Sequence, residues 1–278
     1  MFCADIVFFN FGSALFDPFW SYDPKRLSRL KHCAYWLYSK YSSFMSSVEM
    51  FLIDLMNIKV FIQYQGDDAR QGDVFSKFEI NFVNKVDSDY YNEISDNLKR
   101  ARIEYLCGRA HKVYTLNPDL KHVLPACAEF LPYSNVDIKE WTPVYTQMLQ
   151  RPLRIGHAPS HRGVKGTDLI INAFNQLKNE GFDVELVLIE GMSHDDAKEL
   201  YKSVDVVVDQ VYAGWYGGLA VEVMALGKPV IAYIRDQDLK FIPEQMSNEL
   251  PVIRVEPSSI YEVLKNVTCM PRAELLQI

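Results

Sequence analysis

The sequence predicts an α/β protein of two domains, each built on a parallel sheet. Three features carry that reading. Strands alternate with helices through the second half of the chain. The strands are near-continuous runs of Val, Ile and Leu, as expected of strands covered on both faces. Turn residues bound each run.

In the first half, "ADIVFF" (4–9), "KVFIQY" (59–64), "KVYTL" (112–116) and "EFLPY" (129–133) predict strands. An apolar, aromatic-rich helical stretch, 24–56, joins the first two, and a second, 89–107, leads into the third. The stretch "SNVDIKEWTPVYTQMLQRP" (134–152) has weak periodicity and two prolines. It reads as the junction, giving domains 1–140 and 141–278.

The second half is more regular. "PLRIGH" (152–157) is a short strand. "GTDLIINAFNQLKNEG" (166–181) is a helix with Leu169, Ile170, Ala173, Phe174 and Leu177 on one face and Gly181 as its stop. "DVELVLIE" (183–190) is a strand, and "SHDDAKELYKSV" (193–204) a helix capped by its serine. "DVVVD" (205–209) and "PVIAYI" (229–234) are strands on either side of an apolar helix. "PVIRV" (251–255) and "SSIYEVLKNV" (258–267) add one more strand–helix pair.

Composition narrows the function. The chain of 278 residues is 49% hydrophobic and 23% charged, ordinary for globular domains of this size. Its net charge of −7 argues against a general nucleic-acid binder, though not against a small anionic ligand held at a local basic site. The five cysteines are odd in number, widely spaced and without metal-site spacing, which predicts buried free thiols in a reducing, cytoplasmic setting. No apolar run is long enough to span a bilayer. The aromatic, partly basic stretch from Phe16 to Phe51, with Lys25, Arg26, Arg29, Lys31 and Lys40, leaves two readings open. It is either a core helix of the first domain or a peripheral contact with the inner face of a membrane.

Ligands of open parallel sheets bind beyond the carboxyl ends of the strands. Three loops of the second half reach that edge: "HAPSHRGVKG" (157–166), "GMSH" (191–194) and "QVYAGWYGG" (210–218). The first holds His157, Ser160, His161, Arg162 and Lys165, then Gly166 at a helix start. Cations beside a helix N-terminus suit a phosphate or diphosphate. Gly217 and Gly218, followed by Leu219, leave a second helix start bare for close approach of an anion. Glu222 lies about one turn inside that helix among apolar neighbours. A buried lone carboxylate needs partners, and ribose hydroxyls beside a diphosphate would supply them.

Each residue also has a plainer reading. Arg162 and Lys165 could be solvated loop charges. His157 and His161 could be packing residues. Asp67, Asp68 and Arg70 could form a structural ion pair. "VDSD" (86–89) is better explained as a helix cap than as a metal site.

"RGVKGTDLIINAF" with "GGLAVEVMALGKPVIA" resembles the donor half of family-4-like retaining glycosyltransferases of the GT-B fold. The resemblance is strong over 152–234. It is looser over "FGS" (11–13), "YQGDDARQGD" (64–73) and "LPYSNVDIKEW" (131–141), which are similar to the bacterial polysaccharide-assembly branch. It implies two Rossmann-like domains about a cleft, the first one incomplete, in a chain shortened at both ends. It implies transfer of a sugar, with retention and without metal or cofactor, from a nucleotide diphosphate sugar to a glycan or lipid-linked acceptor. Arg162 and Lys165 would hold the diphosphate and stabilise its developing charge. His157, Ser160, Gly166, Gly191, His194, Gly217, Gly218, Leu219 and Glu222 would line the donor site, with Glu222 on the ribose. Gly12, Gln65, Asp68 and Arg70 would lie on the acceptor side. The chain departs from the pattern at Gly214, where the family carries the first glutamate of E-x7-E, and at Gln65, in place of a cleft histidine. Two other readings keep the fold: a nucleotide-sugar epimerase, and a nucleotide-sugar-binding subunit without turnover of its own.

Overall fold

A computed structural model describes residues 4–19, 29–87, 90–145, 152–275 and 277. Lys25, Arg26, Cys3, Ser88 and Asp89, and part of the expected junction (146–151), lie outside the described residues. The chain forms two compact units. One comprises 1–77 and 88–132, the other 78–87 and 133–278.

In the first unit, β1 (Ile6–Asn10) leads to α1 (Arg29–Leu55), β2 (Lys59–Tyr64), the single turn α2 (Gly72–Phe75), α3 (Glu93–Cys107), β3 (Lys112–Thr115) and β4 (Glu129–Phe130). The four strands pair in parallel in the order β1-β2-β3-β4. Alternation sorts their side chains onto two faces. Val60, Ile62, Tyr64 and Val113 are buried on one. On the other, Ile6 opposes Lys59 and Phe8 opposes Phe61, and both Ile6 and Phe8 are exposed, whereas Phe9 on the opposite face of β1 is buried. α1 buries Ser42, Ser46, Glu49, Met50 and Ile53, spaced as one helical stripe. Trp36, Leu37, Tyr41, Phe44 and Phe51 on its other faces are exposed. The stretch is therefore part core helix and part exposed aromatic surface. Among the described residues no helix is long and apolar enough to cross a membrane.

α3 starts three or four residues later than the sequence suggests. Asn92 accepts from Ser95 N–H at 3.0 Å, and Asn92 N–H donates to Ser95 Oγ at 3.2 Å. This reciprocal cap fixes the first turn.

The second unit runs β5 (Leu153–His157), α4 (Arg162–Lys165), α5 (Thr167–Asn179), β6 (Val184–Leu188), α6 (His194–Ser203), β7 (Val206–Val208), α7 (Gly218–Ala225), β8 (Val230–Ala232), α8 (Glu244–Asn248), β9 (Val252–Arg254), α9 (Ile260–Cys269) and α10 (Arg272–Leu275). Its strands are all parallel, in the order β6-β5-β7-β8-β9. β7 and β8 are buried at every position, as their unbroken apolar runs require. The order reverses between β5 and β7. A crevice opens at such a switch point, because the two following loops leave in opposite directions.

Residues 78–87 are an arm that leaves the first unit's sequence after α2 and packs in the second unit. Phe82 is fully buried. Phe78 lies under the Arg235 guanidinium at 4.0 Å, and Ile80 O accepts from Arg235 Nη2 at 3.2 Å. Lys85 O presses on α4: a Cβ added at Gly163 would lie 2.1 Å from it. Local periodicity does not reveal this arm, because its partners are about 80 to 155 residues away in sequence.

Cys33, Cys127 and Cys269 are free and exposed, and Cys107 is half-buried. The expectation of buried thiols fails for these three, since each lies on a solvent-facing surface.

Gly163→Ala is expected to destabilise the second unit by about 1–3 kcal/mol, because backbone rather than a flexible side chain blocks the new methyl. Limited proteolysis should then cut within 78–87 faster than in the parent. Unchanged cleavage and melting temperature would show that the arm does not depend on this contact.

Candidate active site

The switch-point crevice is bounded by the loop after β5, which includes α4, and by the loop after β7. One carboxylate joins them. Asp209 is fully buried one residue past β7. Its Oδ1 lies 2.5 Å from Lys165 Nζ, and its Oδ2 accepts from Gly217 N–H at 2.6 Å. Lys165 is itself buried, with 11% of its side chain exposed. Lys165 and the start of α7 therefore converge on one anionic point inside the protein. Gly166 opens α5 and packs against Val211, while Lys165 O accepts from Val211 N–H at 3.3 Å.

His157 ends β5 and is fully buried. Its Nδ1 lies 2.8 Å from Val208 O and its Nε2 2.9 Å from Thr167 Oγ1. A carbonyl oxygen only accepts, so Nδ1 carries the proton and Nε2 takes the threonine hydroxyl. Burial, with Lys165 nearby, holds the imidazole below its ordinary 6.5 and keeps it neutral. The ring bridges β5, β7 and α5. His161 caps α4, accepting from Val164 N–H at 3.4 Å. Ser160 is exposed on the same loop.

Arg162 faces outward, half-exposed, in a two-bond pair with Glu190: Nε to Oε1 at 2.9 Å and Nη2 to Oε2 at 2.6 Å. Gly191 is exposed, with nothing within 4 Å of an added Cβ. Ser193 caps α6 by accepting from Asp196 N–H at 3.2 Å. His194, next to it, is exposed, and its Nε2 lies 3.2 Å from Glu222 Oε1 on α7. Glu222 is only partly buried, so its polar partner is a histidine at the rim. His194 also meets the ring of Trp141, with centroids 5.8 Å apart. Lys198 covers that ring at 4.2 Å. Leu219 is half-buried, and Gly218 faces Asn135 and Tyr133.

Gly214, where the resembling family places a glutamate, has φ +75°, a left-handed backbone that disfavours any side chain. An added Cβ would meet the Arg235 guanidinium at 2.9 Å. Arg235 N–H donates to Gly214 O at 2.9 Å, and Nη1 pairs with the fully buried Asp238 at 2.9 Å. A guanidinium thus occupies the space into which the missing carboxylate would project. Sequence reasoning passed over Arg235 and Asp238, which lie beyond the matched motif.

In the first unit, Arg70 is buried with its Nε 2.8 Å from Asp119 Oδ2, and Asp119 is fully buried. Burial and that carboxylate take up the guanidinium. Asp68 accepts from Gln65 N–H at 2.9 Å and Gly66 N–H at 2.5 Å and so closes the turn after β2. Its burial raises its carboxyl above the usual carboxylate range. Gln65 donates from Nε2 to Asn10 Oδ1 at 2.5 Å. Gly12 lies over the ring of Tyr64. Among the described residues no group of three His, Cys, Asp or Glu is arranged to hold a metal.

No protein-family model matches the chain, and no curated protein matches it. Solved structures do. The chain is similar to sucrose-phosphate synthase from Thermosynechococcus elongatus at 17% identity and a TM-score of 0.54, over 86% of this chain and 64% of that one. It is similar to WaaG, a glycosyltransferase involved in lipopolysaccharide biosynthesis, at 16% identity and a TM-score of 0.52, over 86% of this chain and 77% of that one. The two-unit, parallel α/β fold is that of GT-B glycosyltransferases. The chain spans less than two thirds of the length of the synthase. Likeness at this identity establishes fold, and the chemistry has to be argued from the site.

Two outcomes test the interior of the site. Breaking a buried ion pair from one side strands the other charge and costs about 3–5 kcal/mol. Lys165→Met and Asp209→Leu should each lose about that much in urea unfolding, and the double variant much less than their sum. Simple additivity would mean that the two charges do not interact.

The second concerns pH. His157 binds its proton less readily folded than unfolded, so the unfolded state holds more protons below the ordinary imidazole value. Stability is complete above about pH 6.5 and falls as pH drops below it, by up to about 1.4 kcal/mol per pH unit. His157→Asn should flatten that part of the stability profile. An unchanged slope would assign the acid sensitivity elsewhere.

Proposed function

We propose that the protein is a glycosyltransferase that moves a sugar from a nucleotide diphosphate sugar to a glycan or lipid-linked acceptor, with retention and without a metal. The observation that carries this reading is the convergence of Lys165 Nζ and the Gly217 N–H at the switch point of the sheet. Asp209 takes one proton of the ammonium and holds Nζ beside the start of α7, where a Cβ added at Gly217 would lie 3.4 Å from it. A leaving diphosphate entering from the loop side would meet that ammonium, the free amides at the start of α7 and, at the rim, Arg162.

Breaking the bond between the anomeric carbon and phosphate builds charge on the leaving oxygens. Donors already fixed in place stabilise that charge without having to reorganise at the moment of reaction. Arg162 reaches the phosphate by exchanging Glu190 for it, a swap between two anions in solvent. Glu222, joined to His194 at the rim, accepts from ribose hydroxyls, and the open turn at Gly191 leaves room for the base. The resemblance of "RGVKGTDLIINAF" and "GGLAVEVMALGKPVIA" to the donor half of retaining enzymes supports retention. The acceptor class rests on the looser likeness of the first half.

Glu222→Gln tests the reading. A hydrogen bond to a charged group contributes about 1.5–3 kcal/mol, so the variant should bind free nucleoside diphosphate roughly tenfold to a hundredfold more weakly. Its melting temperature without ligand should stay near the parent's, since Glu222 sits at a solvated rim. Calorimetry across nucleoside diphosphates, with product analysis on the matching nucleotide sugars, reads both. Unaltered affinity in the variant, or no stabilisation of the parent by any nucleotide sugar, would remove the donor assignment.

A further inference from the structure

α1 is amphipathic in reverse. The stripe it buries in its own unit is largely polar: Ser42, Ser46 and Glu49 stand beside Met50 and Ile53. The polar members have partners there. Ser42 Oγ donates to Asp17 O at 2.7 Å, and Glu49 accepts from Leu15 N–H at 3.1 Å and Phe16 N–H at 3.0 Å. The stripe turned to solvent is apolar throughout. It runs from Leu37 through Tyr41, Phe44, Val48 and Phe51 to Leu55, and all but the half-buried Val48 are more than half exposed. Steps of four and three residues alternate along it. The same alternation continues back to Ala34 and Leu30, both exposed, so the repeat covers the whole 27-residue helix.

A repeat averaging 3.5 residues keeps one narrow seam facing a second helix laid along it. A helix lying on a membrane presents instead a broad face rimmed by lysine and arginine. Here the rim carries both signs. Lys40 and Asp54 border the seam on the same side, one residue before Tyr41 and Leu55. Both are exposed, and among the described residues neither side chain has a polar partner.

We infer that α1 is the interface of a homodimer, in which it packs antiparallel on α1 of a second copy. A two-fold axis level with residue 46 sets Phe44 against Val48 of the second copy, Tyr41 against Phe51 and Leu37 against Leu55. The same register sets Lys40 beside Asp54 of the second copy, once on each side of the axis. A parallel pair would set Lys40 near Met45 and leave both charges unmatched. Three aromatic rings and two leucines from each copy offer about 1,000 Å² of exposed apolar surface, enough for a specific interface. The contact is isologous, so it closes as a dimer. Dimerisation through α1 is independent of what the crevice of the second unit binds.

Sedimentation equilibrium of the full chain over about 1–100 μM reads the assembly. The parent should be dimeric. Phe44→Glu should weaken the dimer on the order of a hundredfold, because it puts two carboxylates into the seam. Circular dichroism of that variant should match the parent, since Phe44 is exposed. Lys40→Glu and Asp54→Lys should each weaken the dimer about tenfold, by turning both ion pairs into repulsions. Their combination restores opposite charges and should return the parent's affinity, a rescue that neither parallel pairing nor general stickiness gives. Flotation with vesicles of phosphatidylethanolamine and phosphatidylglycerol is measured alongside. A parent that is monomeric at the highest concentration overturns the dimer. If that monomer floats with vesicles and Phe44→Glu does not, the seam is a membrane face instead. A dimer equally tight in Phe44→Glu, or one that the double charge variant does not restore, is built on another surface or in another register, and the inference falls.

Discussion

The second unit is organised around the buried carboxylate of Asp209. Its two oxygens take the ammonium of Lys165 and the backbone N–H of Gly217. These belong to different loops, eight residues apart on one side and 44 on the other. The loop after β7 is packed by its own buried side chains, Val211, Ala213, Trp215 and Tyr216. The charged, hydrogen-bonded acceptor adds the tie between the two loops, because in low dielectric such bonds are strong and leaving one unmade is costly. The neutral His157 beside it adds a second tie, from β5 to Val208 O and Thr167. Two polar ties between β5 and β7 thus fix the crevice before any ligand arrives.

The outer shell is built on the opposite principle. Arg162 pairs with Glu190 and His194 with Glu222 at partly exposed positions, where solvent keeps such pairs weak. A weak pair can exchange one partner for a ligand at little cost, whereas the inner pair cannot. The crevice therefore has a fixed floor and an exchangeable rim. That is the arrangement preorganised electrostatics requires, because donors that must move during reaction stabilise less.

Most of the fold was legible because its strands announce themselves. The Val206–Val208 centre of "DVVVD" and the whole of "PVIAYI" are unbroken non-charged, largely aliphatic runs, and β7 and β8 are buried at every position. The serine cap of α6 and the stop near Gly181 were likewise local signals. What was not legible depends on distant partners. Lys165 announces a cation, but nothing near it says that residue 209 neutralises it. Arg70 invites an ion pair with the neighbouring Asp67 and Asp68, but nothing local points to Asp119, 49 residues on, as its buried partner. The arm at 78–87 has no periodicity to betray that it packs on Gly163 and Arg235.

Gly214 shows why a motif should be read with its surroundings. Taken alone, the glycine is a lost glutamate. In the fold, its left-handed backbone and the guanidinium of Arg235 form one unit with Asp238 and the arm residues Phe78 and Ile80. Restoring a glutamate would demand a strained backbone and displace an arginine already satisfied by a buried aspartate. The position is therefore a structural corner, and a single change to glutamate would not make it a carboxylate site.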